Sequence, residues 1–294
     1  MKPITIFIVL IICVFSMVCK SDSNSEFPIL EGPYLGQKPP GLIPQVFAPD
    51  IISTNGWEYG VVFAPGMKEL YFIREVDVGT KPKQEFVVFE NKKNRWYERV
   101  ISPRTGTPTL SPDGNVMYFG RIYKERTDSG WSEPKRLGPN FEDIRIMRIT
   151  VSAKGTYVLD EAENNSVLRI SRVVDGVRQA PKPLPKEINT GKYNAHPFIA
   201  PDESYIIWDG QRNSPVRNAD LFISFRQKNG TWGEAIKMDN KINTASSEFA
   251  AFVTPDGKYL FFNRDVGQDN TDTYWVDAQI IETLRPKEQP QDKY

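Results

Sequence analysis

One short motif returns five times along the chain: APGMKELYF from Ala64, SPDGNVMYF from Ser111, SAKGTYVL from Ser152, APDESYIIW from Ala200 and TPDGKYLFF from Thr254. Its turn is marked by Pro65, Pro112, Ala153, Pro201 and Pro255, so successive copies lie 47, 41, 48 and 54 residues apart. A strand, tight turn, strand unit at that period is the signature of propeller blades. Proline presets the first turn position and glycine accepts positive φ, which returns the chain antiparallel. The strand after each turn carries aromatic or branched alternation, as in Leu70-Tyr71-Phe72, Met117-Tyr118-Phe119, Ile206-Ile207-Trp208 and Leu260-Phe261-Phe262, and these residues are expected between neighbouring blades.

Two further recurrences complete a blade. Asn94-Arg95-Trp96, Ser129-Gly130-Trp131, Asp175-Gly176-Val177 and Asn229-Gly230-Thr231-Trp232 predict a hairpin joining third and fourth strands. The exits Glu187-Ile188-Asn189-Thr190 and Lys241-Ile242-Asn243-Thr244 are matched near the N-terminus by Asp50-Ile51-Ile52-Ser53-Thr54. Segment 43–52 therefore reads as a fourth strand without a blade of its own, and the last copy lacks a fourth strand. The expected fold is all-β: one propeller of five four-stranded antiparallel blades, closed by the N-terminal strand so that no sheet edge stays open.

SPDGNVMYF and TPDGKYLFF, with their relatives, resemble the TolB-type, WD-repeat-like propeller repeat of bacterial envelope proteins over roughly residues 54–280. SAKG departs from that pattern, and members of the family often have six blades where five are counted here. The resemblance implies a scaffold or binding module of the cell envelope; propellers of this kind include lipoproteins and non-catalytic domains of peptidases.

Before the repeats, Lys2 precedes an apolar run of fifteen residues from Ile4 to Val18, then the polar stretch 20–25. A membrane-spanning helix needs about 20 apolar residues, so this run reads as an export signal. Both cysteines, Cys13 and Cys19, lie in or beside it, so the body has no disulfide. Cys19 after Ser16-Met17-Val18 resembles a lipoprotein cleavage box, in which that cysteine becomes the lipidated first residue; Val18 stands where Gly or Ala is usual. The expected organisation is signal peptide 1–19, polar and Pro-rich linker 20–42, propeller 43–286 and polar tail 287–294, in a protein of the cell envelope, anchored by lipid or free after cleavage.

With 37 basic and 37 acidic residues the chain has no global field to draw nucleic acid or an anionic membrane. Partners are expected to be an envelope protein, a peptide or a glycan. The face opposite the turns gathers first-strand starts and second-strand ends. Glu58, Arg148, His196 and Glu248 come from the former and Arg74, Arg121 and Arg264 from the latter, and they are expected to converge near the mouth of the central channel as a ligand site. There the arginines pair with the glutamates across blades and hold them ionised.

His196 is the single histidine. No Gly-x-Ser-x-Gly elbow accompanies it, and one histidine without a cysteine in the body is too few ligands for zinc. The loop RDVGQDNTD carries Asp265, Asp269 and Asp272 but lacks EF-hand order. No metal, cofactor or catalytic residue is assigned. Binding without catalysis is the primary reading, and a propeller glycoside hydrolase using axial carboxylates is the alternative.

Overall fold

A computed structural model of the chain describes residues 29–77, 82–163, 167–211, 218–267 and 269–287. The apolar N-terminal run, Cys13, Cys19 and the tail beyond residue 287 lie outside the described residues. Five antiparallel blades surround a central axis. Blade 1 is built from Glu58–Phe63, Glu69–Asp77, Pro82–Lys92 and Arg95–Pro103. The first three strands of blade 2 are Pro108–Leu110, Val116–Phe119 and Ile122–Thr127, those of blade 3 Ile149–Val151, Tyr157–Glu161 and Val167–Ser171, and those of blade 4 Tyr193–Ile199, Tyr205–Gln211 and Asp220–Phe225. In blades 2, 3 and 4 the fourth strand shrinks to Lys135–Arg136, Lys182–Pro183 and Ile236–Lys237. Pro134 and Pro181 stand just before two of these and lack the N–H a ladder needs. The predicted tip of blade 3 consequently folds as a separate hairpin, Val173–Val174 with Val177–Arg178, while the tips of blades 2 and 4 pair only with the end of the third strand.

Blade 5 contributes Glu248–Val253, Tyr259–Gly267 and Asn270–Asp277, and its fourth strand is Gln45–Val46 from the N-terminus, with Gln45 opposite Trp275 and Val46 opposite Tyr274. The ring is thus closed as the exits suggest. The exits also show why they recur. The Asn243 side chain accepts from Leu221 N–H at 2.7 Å and donates to the carbonyls of Leu221 and Met238, both at 3.0 Å. Asn189 grips Leu168 and Leu184 in the same way one blade earlier. At the N-terminus Ser53 takes this place, its hydroxyl accepting from Thr273 N–H and donating to Thr273 C=O. One short side chain thereby satisfies backbone groups of the third strand where the fourth has ended.

The turns use the residue before proline as a clamp. Ser111 Oγ and Thr254 Oγ1 accept from the N–H of Val116 and Tyr259 and donate to Asp113 and Asp256. Glycine fills the left-handed turn position at 114, 155 and 257, but blade 4 places Glu203 there at φ 65. Its buried carboxylate accepts from Ser152 of blade 3 at 2.8 Å and pairs with Arg226 at 3.1 Å, interactions that offset the backbone cost of a non-glycine residue.

Aromatic side chains fill the blade junctions, as the alternation predicts. Tyr71 meets Trp131 and Tyr118 meets Tyr157, while Phe198 and Phe252, from the first strands of blades 4 and 5, meet nearer the axis. The densest group lies at the closure, where Phe47, fully buried, contacts Phe63, Phe261 and Trp275. Part of segment 20–42 is also held on the ring. Trp96 donates its backbone N–H to Leu30 and its indole N–H to Gly32, and Tyr34 packs on Phe63 and Tyr259 while donating to Asp256. After blade 5 a short helix, Gln279–Thr283, buries Ile280 and Ile281, and Arg285 lies over Phe225 of blade 4. That helix has no counterpart in the repeat pattern.

Candidate functional site

The seven candidate side chains do not gather at the channel mouth. Arg74 pairs with Glu85 and Glu98 on the outer strands of its own blade, and exposed Arg121 donates to the Glu142 carbonyl at 2.5 Å. Arg264 pairs with Glu248 at 2.9 Å within blade 5, donates to Ile242 C=O and lies over the Tyr274 ring. The expected pairing across blades is therefore pairing within blades, because a second-strand arginine reaches the strands beside it before it reaches the axis.

Glu58 and Glu248 serve the exits. Glu248 accepts from Thr244 Oγ1 at 2.5 Å and Thr244 N–H at 3.1 Å; Glu58 accepts from the hydroxyl and N–H of Thr54. Threonine four residues before glutamate thus ties the end of one blade to the start of the next. Burial raises the Glu58 pKa, and among the groups that favour its ionised form the Thr54 hydrogen bonds count ahead of the more distant Arg74, where the expectation gave that part to arginine. Its Arg74 is spent on Glu85 and Glu98.

Arg148 and His196 do meet. Both are first-strand starts, and Arg148 Nη1 donates to the His196 carbonyl at a long 3.5 Å. His196 Nδ1 faces both oxygens of Asp209 at 3.0 and 3.1 Å, and the Asp209 side chain is 1% exposed. Burial alone would lower the His196 pKa, but Asp209, with help from Asp160, outweighs it and the net direction is upward.

Asp160 and Asp209 escape the sequence reading, together with Asn263. They occupy one column, the position before Glu161, Gly210 and Arg264, and each accepts a backbone N–H from the next blade. Asp160 accepts from His196 at 2.9 Å, Asp209 from Ala250 at 3.1 Å and Asn263 from Gly60 at 3.3 Å. These N–H groups are available because the first strands of blades 4, 5 and 1 are bulged there, with φ of 45, 55 and 68 at His196, Ala250 and Gly60. Asp160 also accepts from Met147 and Arg148, and its burial raises its pKa despite these bonds. In blade 2 the column holds Gly120, where a Cβ would stand 2.6 Å from the Ile146 carbonyl; in blade 1 it holds Ile73.

On the face opposite the turns, a cleft of about 540 Å³ crosses blades 4, 5 and 1. His196 and Asp209 form its inner end, Trp57 and Phe249 are lining aromatics, and Asp265 and Asp269 stand on the blade 5 hairpin. Tyr59 stacks on Trp57 at 5.3 Å and on Phe249 at 5.9 Å, and Arg104 lies 5.4 Å from the Trp57 ring centre. Among the described residues no group of three His, Cys, Asp or Glu side chains is arranged to hold a metal ion.

Fold and cleft define a five-bladed β-propeller with an aromatic and acidic groove on one face. No protein-family model matches the chain, and a search of curated proteins returns no match. Among solved structures, TolB from Acinetobacter baumannii is similar at 13% identity and TM-score 0.46, over 75% of this chain and 54% of TolB. The catalytic domain of a GH62 α-L-arabinofuranosidase from Coprinopsis cinerea is similar at 10% identity and TM-score 0.46, over 81% and 97% of the two chains. A gluconolactonase from Xanthomonas campestris is similar at 9% identity and TM-score 0.48, over 84% and 96%. The chain spans about half of TolB and 37% of a puromycin hydrolase that it also resembles. The likeness is one of propeller fold.

Proposed function

We propose that this chain is an exported, lipid-anchored propeller of the cell envelope that binds a ligand in the cleft beside His196 without transforming it. The observation that carries the reading is the state of its carboxylates. Glu58 and Glu248 are 1% and 0% exposed and bonded to threonine hydroxyl and N–H groups, and Asp160 and Asp209 are engaged by backbone N–H groups and His196. Glycoside hydrolysis by axial carboxylates needs two that are accessible, one as acid and one as base or nucleophile, and these four are not; the exposed Asp265 and Asp269 of the blade 5 hairpin are read as hydrogen-bond acceptors. A cleft with aromatic Trp57 and Phe249 beside the acceptors Asp265 and Asp269 suits a glycan or an extended peptide, which offers apolar faces and N–H or O–H donors together. Export and anchoring rest on the apolar run and Cys19.

The reading is tested by a glycan and peptide binding screen of the full chain beside Trp57→Ala, with turnover measured in parallel for the wild type, Glu58→Gln, Glu248→Gln, Asp265→Asn and Asp269→Asn. Binding weakened by Trp57→Ala, without turnover, supports it. Wild-type turnover that any of these amide variants abolishes would replace it with hydrolysis. Mass spectrometry of the mature N-terminus checks the anchor: a diacylglyceryl-modified Cys19 is expected, and an unmodified start downstream of Cys19 removes it.

A further inference from the structure

The turn face carries a second cavity, separate from the cleft and on the axis itself. It measures about 240 Å³. Pro65, Pro112, Pro201 and Pro255, the prolines of the repeated turns, line it, and so do Val62, Leu110, Val151, Phe198 and Phe252, one residue from each blade. Arg148 also lines it and is 2% exposed.

That arginine is poorly served by the protein. Its Nε is buried without a hydrogen-bond partner, and its contact with the His196 carbonyl is 3.5 Å long. The neighbouring carboxylates are committed elsewhere: Asp209 to His196 and the Ala250 N–H, Asp160 to three backbone N–H groups. The hydroxyls of Thr109 and Thr150, on the same walls, donate to the Ile149 and Pro197 carbonyls. A buried guanidinium left this way costs free energy that a second charge recovers. Burial pulls its pKa below the usual arginine value although Tyr59, Asp209 and Asp160 pull the other way.

We propose that the axial cavity is a binding site for a small monocarboxylate with an apolar body, its carboxylate paired with Arg148 and its body enclosed by the first-strand residues. A cavity of about 150 Å³ takes benzene, so this one takes roughly ten non-hydrogen atoms. An apolar wall with one charged donor at its end fixes orientation as well as affinity.

Calorimetric titration of the full chain with phenylacetate and with its uncharged counterpart phenylacetamide tests the proposal. Expected are one phenylacetate site, at least tenfold tighter than phenylacetamide, and loss of that preference in Arg148→Gln. Leu110→Trp, at the part-exposed edge of the cavity, should abolish phenylacetate binding, and Trp57→Ala in the cleft should leave it unchanged. Equal affinity for the two compounds, no phenylacetate binding, or a preference that survives Arg148→Gln overturns the site. Should Arg148→Gln fail to fold, binding indifferent to Leu110→Trp overturns it equally. Binding that responds to Trp57→Ala instead belongs to the cleft and removes the axial site while leaving the cleft reading intact.

Discussion

Replacing Phe47 with alanine tests ring closure through a single side chain. Phe47 follows the two-residue closing strand, donates its N–H to Thr273 C=O at 2.8 Å, is fully buried and contacts Phe63 of blade 1 and Phe261 and Trp275 of blade 5. Removing a buried phenylalanine costs about 3–5 kcal/mol in transfer and cavity energy. For a domain of this size roughly 2–4 °C of Tm accompanies each kcal/mol, so Phe47→Ala should lower Tm by about 6–20 °C. Phe141→Ala serves as the control, since Phe141 is also buried but belongs to the separate cluster of Tyr118, Ile149 and Leu159. Both variants should lose stability in urea titration. Only Phe47→Ala should also lower the m-value, because a loosened fourth strand lets blade 5 open before the rest. A cost below about 1 kcal/mol, or an unchanged m-value beside that of Phe141→Ala, would refute closure as the element that makes the ring unfold as one unit.

Asp209→Asn retains an acceptor for the Ala250 N–H but removes the charge beside His196, so the pKa of the single histidine, read by NMR, should fall. In the wild type the raised His196 pKa contributes stability that is complete below the unfolded value near 6.5 and is lost as pH rises through the folded value; in the variant burial is opposed by Asp160 without Asp209, so this dependence should disappear or reverse sign. Glu203 has the opposite sign. Although burial works against it, hydrogen bonds from Thr156 and Ser152 and the charge of Arg226 lower its pKa, so its contribution is present above the unfolded value near 4.5 and lost as pH falls through the folded one. Glu203→Gln should cost about 1–3 kcal/mol at neutral pH by chemical unfolding and converge on the wild type in acid. Asn243→Ala strands the Leu221 N–H and two carbonyls and should cost about 1–3 kcal/mol, while Asn243→Ser, which restores the residue used at position 53, should recover part of it.

The blades were legible because their turns are local chemistry: a hydroxyl before proline and a residue at positive φ act within six residues of each other, so the motif survives in the sequence. Closure was legible for a related reason, since Ile-Asn-Thr and Ile-Ser-Thr perform the same clamp at different places. The site was not. Glu58 and Glu248 drew attention as axial carboxylates, yet Thr54 and Thr244, four residues earlier, already claim them. The column that does face the axis reads Ile73, Gly120, Asp160, Asp209, Asn263, too mixed to announce itself. Its purpose depends on bulges that break the two-residue alternation on which strand faces are assigned. Arg148 is visible from its place in the first-strand column, but its unpartnered Nε is a property of the assembled ring.

The hydrogen bonds from Asp160, Asp209 and Asn263 to the following blade are unevenly distributed, and this gives the ring a direction of failure. They lock blades 3 to 4, 4 to 5 and 5 to 1 at the axis, whereas Ile73 and Gly120 supply no side-chain acceptor between blades 1 and 2 or between 2 and 3. Blade 2 sits between the two joints that lack this bond, held to blade 3 by the Thr109 hydroxyl on the Ile149 carbonyl and to blade 1 by the part-exposed Arg126–Glu69 ion pair. Under thermal load or mechanical pull the circle should therefore part beside blade 2, far from where the chain's ends are joined, and amide exchange in strands 108–110 and 116–119 should run ahead of exchange across the sewn junction of blades 5 and 1.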